Sequence, residues 1–171
     1  MRRASVILAV AGLVVTLVLA ALPASAKTTV AFSAEFKETF GRANSKPCSH
    51  FLCGVGTVSG FGSATSAFDL TDFAPIEGTN CGNLEGIRVI TLASDGSTLT
   101  LDETGTVCFP GQSSFAPGAQ MSFGNPADIN TTWTVDRGTG VFRGAKGSGT
   151  DSDHNSGDEG HASLKGTLTL P

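Results

Sequence analysis

Hydrophobic and polar residues alternate with period two along most of the chain, the pattern of strands that bury one face. Val30, Phe32, Ala34 and Phe36 fall on one side of a first strand, with Ala31, Ser33, Glu35 and Lys37 on the other. A connector rich in Pro, Gly and Cys follows over residues 41–53. Residues 55–73 then read as one long β-like stretch carrying Gly56, Gly60 and Gly62, with Gly54 just before it. Glycines inside a strand mark bends, bulges or close backbone approach. Residues 87–93 are apolar on both faces, which predicts a strand buried on both sides. Residues 98–106 return from it through the turn signal Ser94-Asp95-Gly96-Ser97, giving a hairpin. Beyond a Pro/Gly loop at 109–118, residues 119–123 and 129–135 read as strands, with Ile129, Trp133 and Val135 sharing a side. Residues 137–149 are Gly-rich. Residues 161–170 alternate again, with Ala162, Leu164, Leu168 and Leu170 together. Eight or nine short strands, turn-like connections and no helix predict an all-β domain whose sequence neighbours pair antiparallel. Small residues at many inward positions suit a closed barrel, whose taper alternates small and large side chains. The strand count alone also accommodates a β-sandwich.

The amino terminus changes the domain count. Met1-Arg2-Arg3 is a short positive start, residues 6–22 are almost wholly apolar, and Pro23-Ala24-Ser25-Ala26 offers an A-x-A cleavage site. Residues 1–26 therefore read as a secretory signal peptide and 27–171 as a single domain, secreted and free of the membrane once cleaved. Composition agrees with the β reading. In the 145 residues after the signal, Gly, Thr and Ser account for 55, and Trp appears once and Tyr never. A helical bundle wants Ala, Leu, Glu and Lys instead. Regular apolar β-formers argue against disorder. Net charge is −4, and −6 without Arg2 and Arg3, so a nucleic-acid partner is not expected. All four cysteines, Cys48, Cys53, Cys81 and Cys108, follow the signal. An even number in an exported chain predicts two disulfides. Cys81 and Cys108 lie 14 and 13 residues either side of Asp95, so an in-register hairpin sets them opposite each other. Four cysteines allow three pairings, and the favoured one joins Cys81 with Cys108 and leaves Cys48 and Cys53 to close a small loop.

The segment Gly138-Thr139-Gly140-Val141-Phe142-Arg143-Gly144-Ala145-Lys146-Gly147 resembles the GTGxFxxAxG signature of dirigent proteins and allene oxide cyclase-like barrels. Physically, its glycines permit positive φ in the turn, and Phe142 can plug a barrel end. Gly138, Gly140, Phe142, Gly144 and Gly147 are thus the expected barrel-closing residues. Residues 54–65, 81–108 and 133–150 add to a likeness with secreted bacterial proteins carrying an allene oxide cyclase barrel-like domain of unassigned function. The resemblance implies an eight-stranded antiparallel barrel, often a homo-oligomer, with a pocket inside and no cofactor. Its plant members guide radical coupling or cyclise an unstable epoxide. No position here matches their catalytic carboxylates or arginines by a motif.

Chemistry-bearing residues are few. His50, His154 and His161 are the only histidines, and neither G-x-S-x-G nor H-E-x-x-H is present. Loop or surface positions are expected for all three. Cys48, His50 and Cys53 lack the spacing of a zinc site. Residues 150–161 form the densest polar cluster. Asp151, Asp153 and Asn155 imitate the opening of a calcium loop, but Ser156 stands where the tight turn wants Gly and Ala162 where the bidentate Glu belongs. A solvated hairpin loop, with no metal, is the expectation there. Asn130-Thr131-Thr132 matches a glycosylation acceptor, relevant only in a eukaryotic host. Arg88 shares a side with Ile90 and Leu92. It is the candidate pocket residue, either binding an anionic ligand or polarising a carbonyl, or else pairing with a carboxylate. The expected function is non-enzymatic binding of a small apolar or amphipathic molecule. The alternatives are a cofactor-free isomerase, cyclase or dirigent-like stereo-guiding protein, and a structural or surface-interaction module.

Overall fold

Eight antiparallel strands close into one barrel in the computed structural model, which describes residues 27–40, 49–115 and 126–171. They are β1 (Thr28–Phe40), β2 (Leu52–Val58), β3 (Gly62–Pro75), β4 (Cys81–Leu92), β5 (Thr98–Cys108), β6 (Ala127–Gly138), β7 (Lys146–Ser156) and β8 (Glu159–Leu170). Each pairs with the next, and β1 closes against β8 from Thr28 opposite Leu170 to Thr39 opposite Glu159. Closure leaves no sheet edge to protect, which decides between barrel and sandwich. A single 3-10 turn, Gly140–Phe142, is the only helical element among the described residues. The signal segment, Cys48 and the strand expected at 119–123 lie outside the described residues.

Two expectations need correcting. Residues 55–73 are two strands rather than one. Gly60 and Gly62 take φ of +79° and +94°, and the Phe61 amide donates to the Val58 carbonyl at 3.0 Å. Left-handed backbone of this kind reverses a chain rather than bending a strand. Residues 87–93 are also not buried on both faces: Arg88, Ile90 and Leu92 point inward, whereas Ile87 is 37% exposed and Val89 only half-buried. No second layer packs outside this wall among the described residues, so β-branched residues there simply face water.

The predicted hairpin register holds. Cys81 lies directly opposite Cys108, and the two form a disulfide. Inward positions build two separate apolar clusters. One, at the end where β1 starts, contains Phe32, Phe36, Ile90, Leu99, Leu101, Trp133, Phe142, Leu164 and Leu168. The other, at the opposite end, contains Leu52, Phe68, Leu84, Val107, Phe109 and Ile129, with Phe40, Phe51, Phe73 and Phe115 half-buried around it. Full burial of each such side chain contributes about 1.5–3 kcal/mol.

Glycines make room for the large rings. A Cβ on Gly149 or Gly166 would come within 2.4 or 2.5 Å of the Trp133 indole, and one on Gly86 within 2.3 Å of the Phe68 ring. The small-residue excess of the sequence is therefore the complement of its aromatic core, small walls facing large side chains. The Gly138–Gly147 segment crosses the first end. Phe142 is fully buried there, with its ring 4.9 Å from that of Phe61. Gly140 and Gly144 have φ of +55° and +76°. Gly138 and Gly147 are needed for space instead, since a Cβ on either would sit 2.2 Å from a carbonyl oxygen. The segment is held to the β4–β5 turn by Val141 N donating to Ser97 Oγ at 3.1 Å.

Candidate functional site

Between the two apolar clusters the inward phase of the strands turns polar. On β1 the residue between Phe36 and Phe40 is Glu38; on β3 Ser66 separates Ala64 from Phe68. On β5 Glu103 follows Leu101, and on β6 Thr131 separates Ile129 from Trp133. Arg88 supplies the β4 member. From β7 come Asp151, Asp153 and Asn155, spaced by two and so all directed inward. Every one of these eight side chains is buried.

This overturns the expectation of a solvated loop over residues 150–161. The β7 strand runs to Ser156 and β8 begins at Glu159, leaving a tight turn at Gly157 with φ +67°. The alternation Asp151-Ser-Asp153-His154-Asn155 is a strand pattern whose inward members happen to be polar. Gly160 and Gly54 leave the wall bare where these side chains lie. A Cβ on Gly160 would meet Asn155 Oδ1 at 1.8 Å, and one on Gly54 would meet Glu38 Cγ at 3.0 Å.

Arg88 is the hub. Its Nε donates to Glu103 Oε1 at 2.6 Å, Nη2 to Asp151 Oδ2 at 2.8 Å, and Nη1 to Ser66 Oγ at 2.8 Å and to Glu38 Oε1. Thr131 Oγ1 donates to the other oxygen of Glu103 at 3.2 Å, and the guanidinium carbon lies 5.2 Å from the Phe68 ring centroid. Burial pulls Arg88 toward its neutral form, but Glu38, Glu103 and Asp151 outweigh that and hold its pKa well above the ordinary value. Burial pushes Asp151 up to about 7, against the opposing pull of Arg88, with Glu103 and Glu38 adding to the rise. Asp153 is pushed up to about 8, first by burial and then by the Glu38 charge. Both aspartates thus hold protons near neutral pH, where they serve as donors as well as acceptors.

The layer is not self-sufficient. Asp151 Oδ1 and both polar atoms of Asn155 are buried without a hydrogen-bond partner, and Asp153 meets Glu38 carboxyl to carboxyl, a hydrogen bond that needs a proton on one of them. Buried polar atoms in folded proteins are normally paired.

The remaining candidates lie elsewhere. His50, His154 and His161 are all exposed, as expected; His50 Nδ1 pairs with Asp69 at 2.7 Å and His154 Nδ1 with Asp128 at 2.5 Å. Among the described residues no group of three or more His, Cys, Asp or Glu side chains is placed to hold a metal ion. On the outer wall, β1–β4 carry a groove of about 830 Å³ with Val55, Ala67 and Val89 in its lining and Lys37, His50 and Glu159 beside them.

Of the buried layer, only Arg88 was singled out as an inward polar residue from sequence. Glu38 and Glu103 were missed, although each is a polar residue standing in the apolar phase of its strand, and Asp151 and Asp153 were placed in a solvated loop. Comparison with known proteins found no matching family model, curated protein or solved structure.

Proposed function

We propose that this chain is a secreted, non-enzymatic barrel that binds a small amphipathic molecule. The apolar body of the ligand lies among the phenylalanines of the second end, and its polar group reaches the layer around Arg88. The observation that carries this reading is Asn155, 0% exposed, whose two polar atoms have no partner in the protein. Each unmet buried polar group costs about 1–3 kcal/mol, so the layer favours an occupant that supplies the missing hydrogen bonds. Phe40, Phe51, Phe73 and Phe115, above it, are only half-buried and offer ring faces and edges to an apolar chain. Export is supported by the signal-like amino terminus and by the Cys81–Cys108 disulfide.

The test is native mass spectrometry of protein purified from the medium of its own host. A retained small molecule, lost when Asp153→Ala and Asn155→Ala are combined, is the expected result. Unliganded protein only, with ordered waters at Asp153 and Asn155 in a crystal, would refute it.

A cofactor-free isomerase or cyclase is the second reading, favoured by two proton-holding aspartates beside Glu38 in a water-poor interior. Conversion of the retained molecule to an isomer of equal mass separates it from simple binding. A surface-interaction role is favoured only by the outer groove and by Val55, which is 66% exposed.

A further inference from the structure

One guanidinium faces four carboxyl groups inside this barrel. Every nitrogen of Arg88 is already engaged, by Glu38, Ser66, Glu103 and Asp151. The buried atoms around it without a partner are Asp151 Oδ1 and the Oδ1 and Nδ2 of Asn155, and Asp153 meets Glu38 carboxyl to carboxyl, a hydrogen bond that needs a proton on one of them. The layer is rich in acids, and protons on Asp151 and Asp153 fill the place of missing cations. Charge points the same way. Glu38 comes from β1, Arg88 from β4, Glu103 from β5, and Asp151 and Asp153 from β7; β2, β3, β6 and β8 contribute Gly54, Ser66, Thr131 and Ala162. With both aspartates protonated, two carboxylates still oppose one cation, and an unbalanced charge in a dry interior is costly.

We infer that the polar group of the bound molecule is a cation rich in N–H donors, a primary ammonium on an apolar chain, and not a carboxylate. This rests on the binding reading above and specifies its ligand class. An ammonium brings three donors in place of the protons on Asp151 and Asp153 and supplies the missing positive charge. A carboxylate would bring a further negative charge beside Glu38 and Glu103, which already share the one guanidinium. A hydroxyl would satisfy a single acceptor or two and leave the charge unbalanced. Asp151 and Asp153 hold protons near neutral pH, so an arriving cation displaces them, and ammonium binding releases protons and tightens as pH rises.

The experiment is isothermal titration of the full protein with octylamine, octanol and octanoate, matched in chain length, at about pH 6 and about pH 8. Octylamine is expected to bind at least about ten-fold more tightly than octanol at the higher pH. Its affinity should rise between the two pH values, and octanoate should not bind. Glu38→Gln, checked by circular dichroism, should bring amine and alcohol to within a few-fold of each other. Should that variant fail to fold, the wild-type ranking of the three ligands and its pH dependence decide. Octanol or octanoate binding as tightly as octylamine overturns the ammonium inference and leaves the binding reading standing. Failure of all three to bind removes both.

Discussion

Replacing Asp153 with Asn tests the buried layer most directly, because the change is nearly isosteric and removes one titrating group. Asp153 sits at about 8 and Asp151 at about 7 in the folded barrel, against an ordinary 3.8. An acid raised in this way stays neutral in the native state over a range where it is ionised in the unfolded chain. The native state then binds more protons, so its stability is full below about pH 4 and falls as pH rises through the folded values. Each proton retained by the native state makes the slope about 1.4 kcal/mol per pH unit. Asp153→Asn removes one such proton. Between about pH 5 and about pH 7 the variant should therefore gain about 1–3 kcal/mol relative to wild type, the lower figure applying where Asp151 takes over part of the proton uptake. Contributions from the three histidines are common to both proteins and cancel. Urea unfolding at a series of pH values, followed by fluorescence of the single, fully buried Trp133, measures the difference. Wild-type and Asp153→Asn stabilities that run parallel from about pH 5 to about pH 9 would refute the reasoning, because one native-state proton must appear as a difference in slope.

Three further outcomes follow from the same packing. Arg88→Met strips the only cation from Glu38, Glu103 and Asp151; it should cost about 3–5 kcal/mol near neutral pH, and the loss should shrink on acidification, as chemical denaturation at two pH values will show. Replacing Cys81 and Cys108 together with Ser opens a 27-residue loop and should lower stability by about 3–4 kcal/mol under the chain-entropy account, read as a lower urea midpoint. Gly149→Ala places a methyl 2.0 Å from the Lys165 carbonyl oxygen and 2.4 Å from the Trp133 ring. It should destabilise by about 2 kcal/mol or more and shift the Trp133 emission, whereas Gly147 of the closing segment, where an added methyl meets Thr167 and Leu168 first, should lower stability on the same change without that shift.

Much of the fold was legible in the chain because period two is a local property. The inward sets of β1, β6 and β8 were read correctly from Phe32, Trp133 and Leu164 and their neighbours. The Cys81–Cys108 pairing followed from counting outward from Asp95, since an antiparallel ladder advances both strands residue for residue. The turn at Gly60 and Gly62 was misread because a glycine in a β-like run permits a bend and a reversal equally. Only the pairing of β2 with β3 distinguishes them.

The site was harder to see for a different reason. Glu38, Arg88, Glu103 and Asp151 lie on β1, β4, β5 and β7, separated by 15 to 63 residues from the Arg88 they serve. On β1, β4 and β5 the polar residue is a single exception in an apolar phase, easily taken for a fluctuation. Asp151, Asp153 and Asn155 looked like a solvated loop because a run of polar residues ordinarily belongs in water.

By itself, then, the sequence determined the apolar faces of β1, β6 and β8 and the hairpin disulfide, all consequences of spacing along one chain. The tertiary structure alone decided that the eight strands close, and that their polar exceptions meet at one level inside the barrel. Closure brings together residues whose register is transmitted through several ladders in turn, and that shared level is what turns isolated side chains into one charged, incompletely satisfied site.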